Sequence, residues 1–427
     1  MSRSLDRRQA VGALLDGLVL AGCGGLLGGC AGTKPGETGA TGSILAGSTR
    51  SADSKVPPTG AVKVALLLPL SGNAQTATVA KSMRQAAELA LFERNAADLQ
   101  LLVKDDKGTE TGARTAAAAA LGEGAELIIG PLFSRSVAAI APAARKAGVP
   151  VIALSNDPSL AGLGVYLLGH TATAEIDRAI DYASAKGLRR FAALVPNDAE
   201  GRVLEPVLRA AVARNGGNIA VVEHYRTDAN GLVDPVRRLQ AAVDAPSGDR
   251  GRIEAIFMPG SQDALQQLDF LMPQLDLETH KIRLIGTSNW DYPGVHRSSR
   301  LAGAWFAAPA PAGWREFSER FGRAYGAMPV RLASLAHDAV VMAAALSGDA
   351  KGARFKTASL TRSAGFTGAD GVFRLRPSGF VDRGLAILEL QKSGPVVIDA
   401  APAAAAATVG PQAAFQPLPP MRRADAN

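Results

Sequence analysis

Short apolar runs alternate with segments of helical periodicity along most of this chain. Residues 62–68 form a nearly continuous apolar run, which is typical of a parallel strand covered on both faces. The next segment has apolar residues along one helical face, at Val79, Met83, Ala86, Ala87, Ala90 and Leu91. Similar runs predict strands at 101–103, 126–130, 149–154, 191–195, 219–222, 253–258, 282–285 and 301–307, and a helix over 134–147. This alternation indicates βαβ units and parallel sheets, and the strands are too many for one open sheet, so we expect two α/β lobes.

The segments on either side of this pattern differ in composition. Residues 31 to about 60 are rich in Gly, Ser, Thr, Ala and Pro, and residues 396–427 are rich in Ala and Pro. Such segments bury too little apolar surface to offset chain entropy, so we expect a flexible linker within 23–61 and a disordered tail. The folded region is therefore predicted to span 62–395.

The beginning of the chain carries the marks of an export signal. Three arginines precede a short apolar stretch that ends in Leu-Ala-Gly-Cys at 20–23. This ending resembles the lipobox of bacterial lipoproteins, which implies a signal peptide over 1–22 and acylation of Cys23, with Cys30 as the alternative. The resemblance implies a periplasmic protein held to a membrane by lipid. The outer membrane is expected because Gly24, and not Asp, follows the cysteine.

Two other interpretations of this segment remain open. One is a buried apolar segment, and the other is a transmembrane helix, which needs roughly 20 apolar residues. Asp16 interrupts the run, and the glycine pairs at 24–25 and 28–29 disfavour a helix. The Arg7-Arg8 pair also suggests a twin-arginine signal, although the apolar residue expected shortly after it is only Ala10.

Charge and cysteine usage exclude several classes of protein. The net charge is +7, aromatic residues make up 5% of the chain, and no block of five or six like charges occurs, which argues against nucleic-acid binding. Both cysteines lie at or before Cys30, so the folded region has no disulfide and no thiolate nucleophile.

No catalytic motif stands out either. The chain has no Gly-x-Ser-x-Gly, Gly-Lys or Ser-x-x-Lys sequence. The five histidines are scattered, and His170 lies near the predicted crossover between the lobes. Asp105-Asp106 is followed by Lys107-Gly108 and is interpreted as a solvated turn. We expect a protein that is not an enzyme and has neither a metal nor a cofactor.

Three segments resemble the first lobe of type I periplasmic binding proteins: 64–72, 129–132 and 149–155. The similarity runs over 62–395 and implies a two-lobed α/β fold in which each lobe is a mostly parallel sheet flanked by helices. We place the first lobe at about 62–170 and 301–350. We place the second at about 171–300 and 351–395.

Within this superfamily, residues 195–202 and 285–290 resemble the penicillin-binding-protein activators. That resemblance implies a lipoprotein that binds and activates a bifunctional peptidoglycan synthase, its protein partner, and so regulates cell-wall synthesis. The alternative is a solute-binding lipoprotein of an ABC transporter, with an amino acid or similar small molecule as its ligand.

Ligands of open α/β sheets bind where the strands end, so polar residues just after predicted strands are candidates for the crevice between the lobes. A helix that starts near Ser134 also offers free N–H groups to an anion. The candidate residues are Ser71, Asn73, Phe133, Ser134, Ser155, Asn156, Asp198, Ser261, Thr287 and Ser288.

Each candidate also has a structural interpretation. Ser134, and either Ser71 or Asn73, are natural helix N-caps, and a cap needs no ligand. Trp290 is predicted to be core. Where amino-acid-binding relatives often carry a carboxylate, the strand end reads Gly-Thr-Ser at 286–288, and Glu200 stands where they often carry a tyrosine. A bound ammonium group would lack a partner there, which argues against an amino acid as the ligand.

Overall fold

The computed structural model describes residues 61–402 except 229, 247–250, 276–280 and 293. The predicted signal peptide, both cysteines, nearly all of the linker and most of the tail therefore lie outside the described residues. Among the described residues, none of the helices is long and apolar enough to cross a membrane.

The first lobe contains a parallel sheet covered on both faces. Its strands are β1 (Val62–Leu68), β2 (Leu99–Asp105), β3 (Leu127–Ile129), β4 (Val151–Ala153) and β5 (Val165–Leu167), in the order β2–β1–β3–β4–β5. Alternate residues of β1 enter different cores, Leu66 on one face and Leu67 on the other, which explains its continuous apolar run. The helices between these strands are α1 (Ala74–Glu93), α2 (Glu110–Gly122) and α3 (Ser134–Ala147).

The second lobe is built on a mixed sheet. Its strands are β6 (Arg190–Pro196), β7 (Asn218–Tyr225), β8 (Ala255–Phe257), β9 (Arg283–Gly286), β10 (Trp305–Ala308), β14 (Ala386–Gln391) and β15 (Gly394–Asp399), in the order β15–β14–β10–β9–β8–β6–β7. Only the pairs that involve β14 are antiparallel. The covering helices are α4 (Ala172–Ala185), α5 (Ala199–Arg214), α6 (Val233–Asp244) and α7 (Gln262–Leu271). The predicted two-lobed α/β fold is confirmed.

The remaining elements return to the first lobe. They are α8 (Pro311–Tyr325), α9 (Ala333–Ser347), α10 (Thr357–Leu360) and a small antiparallel sheet of β11 (Phe366–Gly368), β12 (Gly371–Leu375) and β13 (Val381–Arg383). Nearly every residue of α9 is buried, so the helix needs apolar cover on all sides. The small sheet provides part of it, since Phe366, Phe373 and Val381 share a core with α9 and β1.

The predicted lobe boundaries differ from the structure at two places. Residues 301–310 were assigned to the first lobe, but β10 pairs with β9 and β14 in the second sheet. Residues 351–395 were assigned to the second lobe, but α10 and β11–β13 pack on the first, and only β14 and β15 belong to the second. The predicted tail starts too early, because β15 continues to Asp399.

The chain therefore passes between the lobes three times, at 168–171, 309–310 and 384–385. Arg383, just before the third crossover, donates a hydrogen bond from its guanidinium to the Leu168 carbonyl of the first, at 2.7 Å. This bond ties two of the three crossovers together at the base of the crevice.

Candidate ligand-binding crevice

The candidate residues of the first lobe lie in the loops that follow β1, β3 and β4. The loop after β1 is linked to β2 because Ser71 donates its backbone N–H to Asp105 Oδ1 at 3.3 Å. Asn73 accepts the Thr76 N–H at 2.9 Å, so it is the N-cap of α1. Of the two residues proposed as caps for this helix, Asn73 holds that role.

The amino terminus of α3 is open. Phe133 is its N-cap and makes no side-chain cap bond, so the prediction that Ser134 caps this helix is wrong; Ser134 is its first helical residue. Within the described part of the chain, the backbone N–H groups of Ser134 and Arg135 have no hydrogen-bond acceptor, whereas the next two N–H groups bond to the Phe133 carbonyl at 3.0 Å. A helix end of this kind presents free donors and a partial positive charge to an anion.

The side chain of Arg135 helps to hold this loop in place. It donates from Nε and Nη2 to the Gly108 carbonyl at 3.2 and 2.9 Å, and its guanidinium lies 5.5 Å from the centre of the Phe133 ring. The loops after β2 and β3 are therefore fixed relative to each other, with Ser134 beside them.

Ser155 and Asn156 follow β4 and differ in exposure. Ser155 is buried, and its hydroxyl accepts the Asp157 N–H at 3.2 Å. Asn156 is exposed. Gly169, at the first crossover, packs so closely on Ser155 that a Cβ there would lie 2.5 Å from the Ser155 carbonyl oxygen.

Two of the second-lobe candidates have structural roles. Asp198 accepts the Gly201 N–H at 3.0 Å and caps α5. Ser261 accepts the Ala264 N–H at 3.3 Å and caps α7. Trp290 is fully buried and donates its indole N–H to the Met258 carbonyl at 3.2 Å, which confirms the prediction that it is core.

Thr287 and Ser288 follow β9, and Ser288 contacts a carboxyl group that sequence patterns did not reveal. Glu175, in the first turn of α4, accepts the Ser288 N–H at 2.9 Å and the Ser288 hydroxyl at 2.6 Å. Glu175 is 3% exposed, and burial raises its pKa to about 7 although both bonds from Ser288 favour the charged form. Thr287 is also buried, and its hydroxyl has no partner in the described structure.

The expectation that this strand end lacks a carboxylate is therefore wrong, because the acid comes from a different segment. Sequence order hides the contact, since Glu175 lies 113 residues before Ser288. A signal was nevertheless present. Glu175, Ala179 and Ala183 recur at the spacing of one buried helical face, where an acidic residue is out of place unless it has a partner.

Charges of the two lobes face each other near the crossovers. Burial raises the pKa of both Glu175 and Asp291 in the second lobe, and the positive charge of Arg331, which precedes α9 in the first lobe, opposes this shift in both carboxyl groups. Arg331 itself is paired with Asp370, with 2.8 Å between Nη1 and Oδ1.

Asp370 also binds the first crossover. Its Oδ2 lies 3.3 Å from His170 Nε2 and accepts the Ser334 hydroxyl at 2.7 Å. Burial and the charge of Arg383 lower the pKa of His170, so the imidazole is neutral at pH 7 and donates to Asp370. The sequence placed His170 near the crossover between the lobes, and the structure shows that it forms a hinge network with Asp370, Arg331 and Ser334.

The space at the base of the crevice is small. A cavity of about 10 Å³, lined by His170, Glu175, Arg383 and their neighbours, has room for about one water molecule. No group of three or more His, Cys, Asp or Glu side chains in the described residues is placed to hold a metal ion.

Comparisons with known proteins agree with this geometry. The periplasmic binding protein family model matches residues 61–395. An uncharacterized protein of Rickettsia prowazekii is 21% identical over 183 residues, which are 43% of this chain and 48% of that protein. The chain thus spans about half the length of that curated relative.

The similar solved structures include solute-binding proteins. A Rhodospirillum rubrum protein assigned to a branched-chain amino acid ABC transporter has a TM-score of 0.69 and 19% identity, over 79% of this chain and 100% of its own. An R. palustris solute-binding protein in complex with benzoate has a TM-score of 0.56 and 17% identity, over 80% and 96%. A substrate-binding protein of Desulfitobacterium hafniense in complex with Leu has a TM-score of 0.60 and 18% identity, over 79% of this chain and 99% of its own. At these identities the likeness shows a shared fold.

Proposed function

The chain belongs to the periplasmic binding protein family, and from this membership we propose that it captures a small zwitterion, such as an amino acid, for an ABC transporter. One observation carries the proposal: hydrogen-bond donors lie at the strand ends of the first lobe, and a hydroxyl backed by a carboxyl group lies at those of the second. The first lobe presents the uncapped α3, and the second presents Ser288 with Glu175 behind it. The family implies a periplasmic location.

The first-lobe group suits a carboxylate. Two free N–H groups at the start of α3 and the Ser134 hydroxyl offer neutral donors without a competing side-chain cap. The R. palustris and D. hafniense proteins described above were solved with benzoate and with Leu, and both of these ligands carry a carboxylate.

The second-lobe group suits an ammonium. The Ser288 hydroxyl gives its hydrogen to Glu175, which leaves its oxygen lone pairs free to accept N–H groups from a ligand. The charge of an ionised Glu175 lies directly behind that oxygen. A cation at Ser288 would favour the ionised form of Glu175, so binding would release a proton near neutral pH.

Two finer expectations from the sequence are carried forward as proposals. The first is lipid attachment at Cys23 and an outer-membrane location, and the residues that suggest it lie outside the described part of the chain. The second is activation of a peptidoglycan synthase; the resemblance that suggests it is confined to segments 195–202 and 285–290, at the carboxyl ends of β6 and β9. Because ligands of open α/β sheets bind at the carboxyl ends of the strands, these two segments are as compatible with solute binding as with a protein partner.

A thermal-shift screen of the full chain with the twenty amino acids tests the proposal. A ligand at a hundredfold its Kd stabilises the folded state by about 2.7 kcal/mol, so a true ligand gives a large, concentration-dependent shift. The matched control is the same acid without its amine, for example 4-methylpentanoate against L-leucine. We expect the amino acid to stabilise and the deaminated acid to have little effect; equal stabilisation by both would contradict the role of Ser288 and Glu175.

A pair of variants locates the amine contact. Glu175→Gln should lower the affinity for the tightest-binding amino acid by about 10- to 100-fold, because a hydrogen bond to a charged group contributes about 1.5–3 kcal/mol. Glu205→Gln removes a carboxylate on α5 that pairs with Arg209 instead, and it should leave the affinity unchanged. Calorimetric titration measures both, and equal affinities for the two variants would argue against a cation at this position.

A further inference from the structure

A second cavity lies on the second lobe. It has a volume of about 270 Å³ and is lined by one face of α7 and by the loop after β9. None of the ten candidate crevice residues lines it. The helix contributes Gln262, Gln266 and Asp269, and the loop contributes Tyr292 and Arg297.

The polar groups around this cavity are mostly unused. In the described structure, the two glutamine amides, the Tyr292 hydroxyl and the Arg297 guanidinium have no hydrogen-bond or ion-pair partner, whereas Ser298 donates its hydroxyl to Asp269 Oδ1 at 2.5 Å. Burial and the charge of Asp269 raise the pKa of Tyr292, so the phenol stays protonated and can donate. Donors and acceptors therefore converge on one space.

The loop is shaped to bring Arg297 to the cavity. Gly294 has a φ of 90°, and a Cβ at this position would collide with the Arg297 guanidinium. Glycine thus permits both the left-handed backbone and the folded-back arginine. A larger residue at 294 would displace the guanidinium from the cavity wall.

The charges indicate the class of ligand. The lining contains one acidic side chain, Asp269, and one basic side chain, Arg297, so its net charge is zero and the cavity favours neither an anion nor a cation. Amide groups, a phenol and a guanidinium match hydroxyl groups, which donate and accept at once. The aromatic ring of Phe270 is 81% exposed and follows Gln266 by one helical turn, which places an unpaired apolar surface beside the polar one.

From this arrangement we propose that the cavity between α7 and the loop after β9 binds a neutral, hydroxyl-rich ring, that is, a single sugar unit. The glutamines and Arg297 hydrogen-bond to ring hydroxyls, and Tyr292 or Phe270 covers the apolar face of the ring. None of the residues that would hold the sugar is among the candidate crevice residues, so the two proposals rest on different side chains.

Nuclear magnetic resonance of the full chain, labelled with ¹⁵N only at glutamine, tests the proposal. The probes are N-acetyl-D-glucosamine and methyl α-D-glucopyranoside, titrated through the millimolar range, with L-leucine and acetate as charged comparators. We expect saturable shifts of the Gln262 and Gln266 side-chain amides with at least one sugar. Shifts with neither sugar, or equal shifts with acetate, would overturn the proposal.

Neighbouring residues of α7 provide a matched pair of variants. Gln266→Ala should lower the affinity for the sugar at least tenfold. Gln267 is the next residue of the same helix and lies outside the cavity lining, so Gln267→Ala should leave the affinity unchanged. Gln266→Ala should retain the melting temperature of the parent chain, because Gln266 is exposed. An undiminished affinity in Gln266→Ala would show that the sugar binds elsewhere.

Discussion

Replacement of Asp370 by alanine is expected to destabilise the folded protein by about 3–5 kcal/mol, as is typical when one partner of a buried charge network is removed. The Asp370 side chain is fully buried and carries the bonds from Arg331, Ser334 and His170 described above. Burial by itself would raise the pKa of Asp370, but the charge of Arg331 and the bond from His170 outweigh it and hold the pKa far below its usual range. Without the carboxylate, Arg331 and His170 are left without their main partner.

Urea unfolding at pH 7 measures this effect, and Asp234→Ala is the control. Asp234 pairs with Arg237 on the surface, where both side chains are more than 70% exposed. Surface pairs of this kind contribute about 0–1 kcal/mol. A loss for Asp370→Ala no greater than that for the control would show that the hinge network adds nothing to stability.

Replacement of Glu175 by glutamine should have an effect on stability that changes with pH. The folded protein raises the pKa of Glu175 from 4.5 to about 7, so the parent chain loses stability as the pH rises from about 4.5 through 7. Below that window both the parent acid and the glutamine are neutral and the two proteins should be similar. Between pH 5 and pH 8 the variant should gain about 2–3 kcal/mol relative to the parent.

Unfolding of both proteins at pH 5 and pH 8 tests this prediction, and Glu205→Gln again serves as the control. Burial would raise the pKa of Glu205, but its bonds with Arg209 and His224 lower it, so its loss should not stabilise the protein at pH 8. A pH-independent difference between Glu175→Gln and the parent would mean that Glu175 is ionised throughout, and would remove the proposed proton release on binding.

The sequence predicted those parts of the fold that local periodicity determines. The predicted helix 134–147 has the same bounds as α3, and β1 was predicted without error because both of its faces are apolar. The lobe assignment of β10 and of β11–β13 was wrong, since it depends on strand pairing across long stretches of chain. Nothing local distinguishes a strand that closes one sheet from a strand that opens another.

The candidate site was predicted only in part for the same reason. Strand ends placed Ser134 and Ser288 on the two lobes, whereas Asn73, Asp198 and Ser261 proved to be helix caps. Glu175 was missed because its partner is distant in sequence. Its pKa and its bonds to Ser288 arise only when α4 is folded against the end of β9.

The most direct test of the crevice is a backbone-amide titration of the full chain with an equimolar mixture of the twenty amino acids. We expect saturable shifts of the Ser134 and Arg135 amides in the first lobe together with the Ser288 amide in the second. These three N–H groups lie where the two ends of a bound zwitterion would be held. Unchanged positions of all three amides at the highest concentration would contradict the proposed function.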